Sequence, residues 1–389
     1  MSWKAGFRRF READPGRLHF AAHSHHYWPD AAFGAQQRCW EDAARLADRK
    51  WETIFGEVVP RAQAGIAGIL KLSDPGSLAF GPNTHGFLLR LLSCLPQARP
   101  IRVLTSDGEF HSFERQLRRL EELGRAEVVR IPTEPFESFT ERFRQAAAEG
   151  GRDLIYLSQV FYNSGYAVPD LPGIAAAVPE PEALVVIDGY HGFLARPTDL
   201  SAIETRAFYL SGGYKYAMAG EGVCFLHCPP GLAERPPDTG WFAAFGALAD
   251  KARDRVPYGA DASRFLGATI DPVGIYRLNA VLDWLEAEGI TAAAVHDHAV
   301  ALQDAFVAEL PGLSIPGLSP ETLVVPLDEP NRGNFLTFRT PQAGALYEAL
   351  LARNIVTDHR GDRLRFGFGI YQDAADVEAL TERLAGLTA

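Results

Sequence analysis

Between about residues 77 and 228 the chain alternates short apolar runs with amphipathic stretches, and this alternation constrains its fold more than any other feature. Ser77–Phe80, Ile101–Thr105, Glu127–Ile131, Leu154–Ser158, Leu184–Ile187, Phe208–Leu210 and Val223–Leu226 have the length and composition of buried strands. Stretches near Phe87–Leu95, Phe113–Leu123 and Ser138–Glu149 read as helices. Strands separated by helices predict an α/β fold with a central, mostly parallel sheet. Ligands then belong at the carboxyl ends of the strands. Upstream, Leu18–Ala22 reads as a brief strand and about Asp30–Leu72 as helix, with Pro60 as a break or kink. Downstream, an apolar helix (Gly274–Leu285) leads to helices at Ala293–Leu310, Ala343–Arg353 and Ala374–Leu384. These alternate with strand candidates at Thr322–Val325, Phe335–Phe338, Ile355–Thr357 and Arg363–Phe368. A chain of 389 residues divides naturally into a large and a small domain. The expected division is a large domain over 46–274 and a small α+β domain from 1–45 and 275–389.

The strand ends carry chemistry. Leu184–Ile187 stops on Asp188, and a carboxylate at the end of a buried strand is costly unless its charge is used. Phe208–Leu210 runs through Ser211-Gly212-Gly213 into Tyr214-Lys215-Tyr216. The chain has five lysines (Lys4, Lys50, Lys71, Lys215 and Lys251), and only Lys215 lies among aromatics and glycines between two apolar runs. An amine able to form a Schiff base, with an acid able to keep a ring nitrogen protonated, suits pyridoxal phosphate (PLP). The plain alternative is a lysine snorkelling from a strand end beside an ordinary turn aspartate. Ser77–Phe80 also runs into Gly81-Pro82-Asn83-Thr84-His85-Gly86 ahead of a helix, a turn that can cradle an anion or simply cap that helix.

Asp188-Gly189-Tyr190-His191 followed by Tyr214-Lys215-Tyr216 resembles the class V aminotransferase group of fold-type I PLP enzymes, kynureninases most closely. The resemblance runs from about Leu18 to Leu384 and implies a role for each of several residues. Lys215 would hold the cofactor, Asp188 would face its ring nitrogen, and His191 and Tyr214 would lie beside it. Thr84 and Asn83 would meet its phosphate. A ring from the loop after the second strand would stack on it: Phe110 by likeness to kynureninases, or the adjacent His111 by likeness to cysteine desulfurases. Gln159 stands where the family usually has histidine, and its amide could still bond a ring oxygen. Trp241 matches a kynureninase Gly-Trp segment, although Ala243-Ala244-Phe245 replaces the Gly-His that kynureninases carry after it. Thr269 lies in a loop like the one that reaches the partner's phosphate, which implies a homodimer with shared active sites.

For substrate, the resemblance points to Arg365, in a Leu-Arg pattern ending at Tyr371, and to Arg332, in an Arg-Gly segment, as carboxylate clamps. His25 and His26 fall where the family's N-terminal segment lines the substrate pocket. The implied reaction begins with an amino acid forming an external aldimine and a quinonoid. Kynureninase-like cleavage at the β-carbon is the favoured continuation, and transamination the runner-up. Cysteine desulfuration needs a cysteine on a mobile loop, and none of Cys39, Cys94, Cys224 and Cys228 falls in one. The altered Gly-Trp segment and the added histidines point to a substrate other than kynurenine.

Other classes compete with this one. His23-x-His25 after a strand has the spacing of a metal-dependent hydrolase site. Against that, the C-terminal part lacks the regular repetition of such a barrel. Cys224 and Cys228 share one strand face with Leu226, which favours core over zinc. A net charge of −11 and the lack of a basic domain argue against a PLP-fold transcription regulator, and against nucleic acid or an anionic membrane as partner. No apolar run approaches a membrane span, the N-terminus lacks a signal peptide's apolar middle, and the four cysteines form no disulfide framework. Cytoplasm is the expected compartment.

Overall fold

The computed structural model describes residues 2–247 and 255–387. A short strand, β1 (Leu18–His19), precedes a helical region. Seven strands follow: β2 (Leu78–Gly81), β3 (Ile101–Ser106), β4 (Ala126–Ile131), β5 (Leu154–Ser158), β6 (Leu184–Asp188), β7 (Ala207–Gly212) and β8 (Cys224–His227). They form one sheet in the order β2-β8-β7-β6-β5-β3-β4. Only β8 runs antiparallel to its neighbours. The expected mostly parallel α/β sheet is therefore present.

Both faces of the sheet are buried, and the period-2 alternation of strands divides its residues between two apolar layers. Leu154, Tyr156, Leu184, Val186, Phe208 and Leu210 enter one layer. Ile155, Leu157, Val185, Ile187 and Tyr209 enter the other. A third core has its own sheet, made of β9 (Phe335–Arg339), β11 (Asp358–Arg360) and β12 (Arg363–Gly367), while β10 (Ile355–Val356) lies apart beside β1. β11, β12 and β9 are antiparallel in that order, while β10 pairs in parallel with β1. Leu18 and Phe20 thus share a core with Phe338, Leu364 and Phe366 from the far end of the chain.

Three local expectations are corrected. The segment from Asp30 is helical to Leu46, breaks at Ala47 (φ 49°), and resumes. Pro60 does not break it. The helix runs through it from Lys50 to Leu70, with a π-helical turn (Ile54–Val58) just upstream as the local irregularity that a proline brings. Thr322–Val325 is not a strand: a 3-10 turn occupies Pro320–Thr322, and Leu323 makes only an isolated bridge to Phe338. Among the described residues no helix is long and apolar enough to cross a membrane.

Candidate active site

A cavity of about 230 Å³ opens at the carboxyl ends of β5, β6 and β7. Asp188 ends β6. Its Oδ1 accepts the Tyr190 backbone N–H at 2.9 Å and its Oδ2 accepts the Tyr156 hydroxyl at 3.0 Å. Burial pushes this carboxyl upward, while the Tyr190 N–H, the charge of Lys215 and the Tyr156 hydroxyl work the other way. Lys215 is delivered by the turn after β7. Gly212 is required in that turn, since a Cβ there would meet the Tyr190 hydroxyl at 2.2 Å.

The Lys215 amine is only 5% exposed, lies 2.5 Å from His191 Nε2, and sits 5.2 to 5.8 Å from the rings of Tyr190, Phe110 and Tyr214. Burial brings its pKa down to about 7, against the opposing pull of Asp188. A neutral amine, and so a nucleophile, is available near physiological pH. Burial also holds His191 well below the ordinary histidine range, with Lys215 and Arg365 adding to the effect.

The anion cradle closes the other side. Asn83 caps the helix Thr84–Ser93 by accepting the Gly86 N–H at 2.9 Å, and Asn83, Thr84 and His85 all line the cavity. Phe110 lines it too. His111 does not, and is exposed with its ring 5.0 Å from Tyr162. Of the two candidate stacking rings, the cavity therefore takes Phe110.

Gln159 does not reach this space. It is buried, with its Nε2 donating to Thr198 at 2.8 Å and its Oε1 accepting from Tyr209 at 2.8 Å. Its predecessor Ser158 lines the cavity instead, because side chains alternate along β5. Trp241 is 46% exposed and packs on Phe242 and Phe245, and Thr269 is exposed. Neither lines this cavity.

Neither arginine lines the cavity; both are buried, each pairs with an aspartate, and each has one nitrogen without a partner. Arg365, on β12, is buried and acts electrostatically on both Lys215 and His191. It pairs with Asp358, donates to the Tyr162 carbonyl, and leaves its Nε without a partner. Arg332 forms its ion pair with Asp304 at 2.7 Å. The histidines do separate. His25 sits at the rim, stacked on Tyr214 at 5.2 Å and 3.5 Å from Glu221. His26 is a core residue: its Nδ1 lies 2.7 Å from the Tyr27 carbonyl, among Phe7, Tyr216 and Tyr371. His23 is buried flat against Phe335, with centroids 4.5 Å apart.

The metal alternative needed His23 and His25 to alternate on an extended segment. Residues 22–24 form a turn instead, so one ring is buried and the other is exposed. Among the described residues no cluster of three or more metal-ligating side chains occurs.

Sequence reasoning missed Ser158, Tyr162, Tyr190, Glu221 and Cys224, all of which line the cavity. Tyr190 and Cys224 carried the clearest signal, since one lies inside the Asp-x-x-His motif and the other opens the strand facing the lysine turn. The assembled donor set fits PLP. It offers a buried uncharged amine, a fixed acid, an aromatic wall and a helix N-terminus, and the remaining described lysines lie elsewhere. Lys4 and Lys71 are ion-paired with Asp373 and Asp199, and Lys50 lies over Trp51.

The chain is similar to several known proteins. The chain is 30% identical over 368 residues to a kynureninase of Burkholderia pseudomallei, covering 91% of this chain and 85% of that one. It is 26% identical over 286 residues to a probable cysteine desulfurase of Vibrio cholerae, covering 72% and 69%. Among solved structures, the apo cysteine desulfurase of Thermococcus onnurineus superposes with a TM-score of 0.78 at 15% identity, covering 100% of both chains. The cystine C–S lyase C-DES in complex with cysteine persulfide gives 0.78 at 18% identity, covering 96% and 98%. The family model for aminotransferase class-V matches residues 84–380, a span that holds Thr84, Asp188, Lys215 and Arg365. The chain belongs to the class V aminotransferase family of PLP-dependent enzymes.

Proposed function

We propose that the enzyme takes an amino acid and cleaves it at the β-carbon, in the manner of kynureninases. PLP chemistry is carried by the buried Lys215 amine held between His191 and the Phe110 wall, and the choice of β-cleavage by the 30% identity to a kynureninase over 91% of this chain. Bound PLP supplies an electron sink for negative charge developing at the substrate's α-carbon. Lys215 would hold the cofactor, and its Nζ would take and return the substrate's α-proton. Asp188, fixed by Tyr156 and Tyr190, would keep the ring nitrogen protonated. Thr84 and His85 receive the phosphate at the helix N-terminus. Phe110 covers the ring face. Arg365 offers its unpartnered Nε to the substrate carboxylate, and His25 at the rim meets the side chain.

A persulfide-carrying role for cysteine is not supported. Cys224 lines the cavity, but it is fixed in β8, and burial pushes its thiol up to about 11. The other described cysteines lie outside the cavity. The same proposal includes a homodimer in which the Thr269 loop reaches the partner's site, a cytoplasmic location, no nucleic-acid or membrane partner, and the domain division at residues 45/46 and 274/275.

The test is a panel of amino acids bearing different β-substituents, offered to the PLP-loaded enzyme. Release of alanine or pyruvate together with the β-substituent, at catalytic turnover, is the expected result. Stoichiometric conversion of the cofactor to its amine form, reversed by a 2-oxo acid, would replace cleavage with transamination.

A further inference from the structure

The residue beside the stacking ring is a buried acid with no part in the reaction above. Glu109 immediately precedes Phe110 and is only 4% exposed. Its carboxyl group bridges two strand ends. The hydroxyl of Ser106, last residue of β3, donates to Oε1 at 2.5 Å, and the backbone N–H of Ser158, last residue of β5, donates to the same oxygen at 3.2 Å. Ser158 Oγ lies 2.6 Å from Oε2. None of these partners is a cation.

A neutral carboxylic acid satisfies the arrangement completely. Oε1 accepts two hydrogen bonds and the Oε2 hydroxyl donates to Ser158 Oγ. An ionised carboxylate would instead be a buried charge with only neutral partners. The acid whose charge bears on it is Asp188, paired in register with Ser158, and the titratable neighbour on β5 is Tyr156. Asp107 in the same loop is turned to the Thr133 N–H at 2.8 Å. What the bridge holds matters, because Phe110 and Ser158 both line the cavity and the Phe110 ring lies 5.5 Å from the Lys215 amine.

We propose that Glu109, as a neutral acid, is a positioning residue: by tying the end of β3 to the end of β5 it holds Phe110 over Lys215 and Ser158 in the cavity wall, and its ionisation loosens both. Burial, opposed by the two serines, pushes its pKa up to about 8, so the neutral form persists at pH 7. An acid whose folded-state pKa is raised stabilises the fold fully at low pH. That contribution is lost as pH climbs from the unfolded value of about 4.5 towards 8.

The proposal rests on the cavity holding PLP, so its test has one arm with the cofactor and one without. Wild type, Glu109→Gln and Glu109→Ala are compared by visible circular dichroism of the bound cofactor from pH 6 to 9. Glutamine keeps the bridge but cannot ionise. Its signal should match wild type at pH 6.5 and lack the wild-type change centred near pH 8, while any titration belonging to other groups of the site stays in both. Glu109→Ala should weaken the signal several-fold and lower kcat more than it raises KM.

In the cofactor-free arm, the melting temperature of wild type should fall relative to Glu109→Gln as pH rises from 5 to 8. A Gln variant that titrates like wild type, or an Ala variant with the wild-type dichroism, overturns the proposal. Should Glu109→Ala fail to fold, the Gln comparison decides alone. A wild type without any visible cofactor band would sink the PLP reading, and the cofactor-free melting series would then judge the strand bridge by itself.

Discussion

The Asp188–Lys215 centre and the histidine segment 19–26 solve opposite problems. In the centre, residues 27 positions apart and more are brought into one cavity, because parallel strands end at the same edge of one sheet. In the segment, histidines one to four positions apart are divided among three surroundings, with His19 and His26 both meeting Tyr371. His19 Nδ1 lies 2.6 Å from the Tyr371 hydroxyl, His23 lies against Phe335, His25 reaches the rim, and His26 enters the core. A turn at residues 22–24, packed against Gly367, causes the dispersal. Gly367 is required there, since a Cβ on it would meet His23 Nδ1 at 2.2 Å. Proximity in sequence is thus a poor guide to a shared site, whereas a common position at the strand ends is a good one.

The largest effect expected comes from the centre. Lys215→Ala should remove covalently held cofactor and all measurable turnover. An absorption band at about 400–430 nm, typical of a lysine-bound PLP, that survived in this variant would break the comparison outright. Asp188→Asn should retain the cofactor yet lower kcat by roughly 10²–10⁴-fold, and near-normal kcat would show that the ring nitrogen has another partner. Capture of PLP by the cofactor-free protein should quicken about tenfold between pH 6 and 8. The neutral fraction of an amine with pKa about 7 rises by that factor over this range, and a flat profile would place the amine elsewhere.

The segment should give smaller, divergent effects. His26→Ala, which empties a fully enclosed site, should cost about 2–4 kcal/mol in denaturant unfolding. His25→Ala should change stability by less than about 0.5 kcal/mol and alter KM rather than kcat. Equal losses of stability in the two would show that His25 is core as well. Chelators should leave both the chromophore and turnover intact in each.

The lysine and its acid were legible because each is unusual where it stands. Lys215 is one of five lysines and follows paired glycines, and Asp188 interrupts an apolar strand. The strand–helix alternation was legible for the same reason, since buried parallel strands are nearly uninterrupted apolar runs. Gln159 shows the limit. Which of Ser158 and Gln159 faces the ligand depends on a half-turn at the end of β5. That choice is settled by Gly192, where a Cβ would lie 2.0 Å from the Gln159 amide oxygen. Arg332 and Arg365 looked alike in sequence, and only the tertiary partners Asp304 and Asp358 tell them apart. Thr269 carries no internal signal, because a loop whose proposed role needs a second copy presents only surface in one, and Trp241 packs on its own loop's Phe242 and Phe245 outside the cavity.

The parallel pairing of β1 with β10 has a consequence for how the enzyme is made. Phe20 donates its N–H to the Val356 carbonyl at 2.7 Å and accepts the Gly367 N–H at 2.7 Å, while His26 donates to the Tyr214 carbonyl at 3.1 Å. One early segment therefore bonds to the last strands and to the residue before the lysine. On a ribosome this stretch must wait for more than 300 residues of chain before its partners exist. The central sheet has all seven strands by residue 227 and can assemble during synthesis. The segment that bonds to Tyr214 is itself held by residues 355–367, so the rim of the pocket depends on strands made long after the sheet.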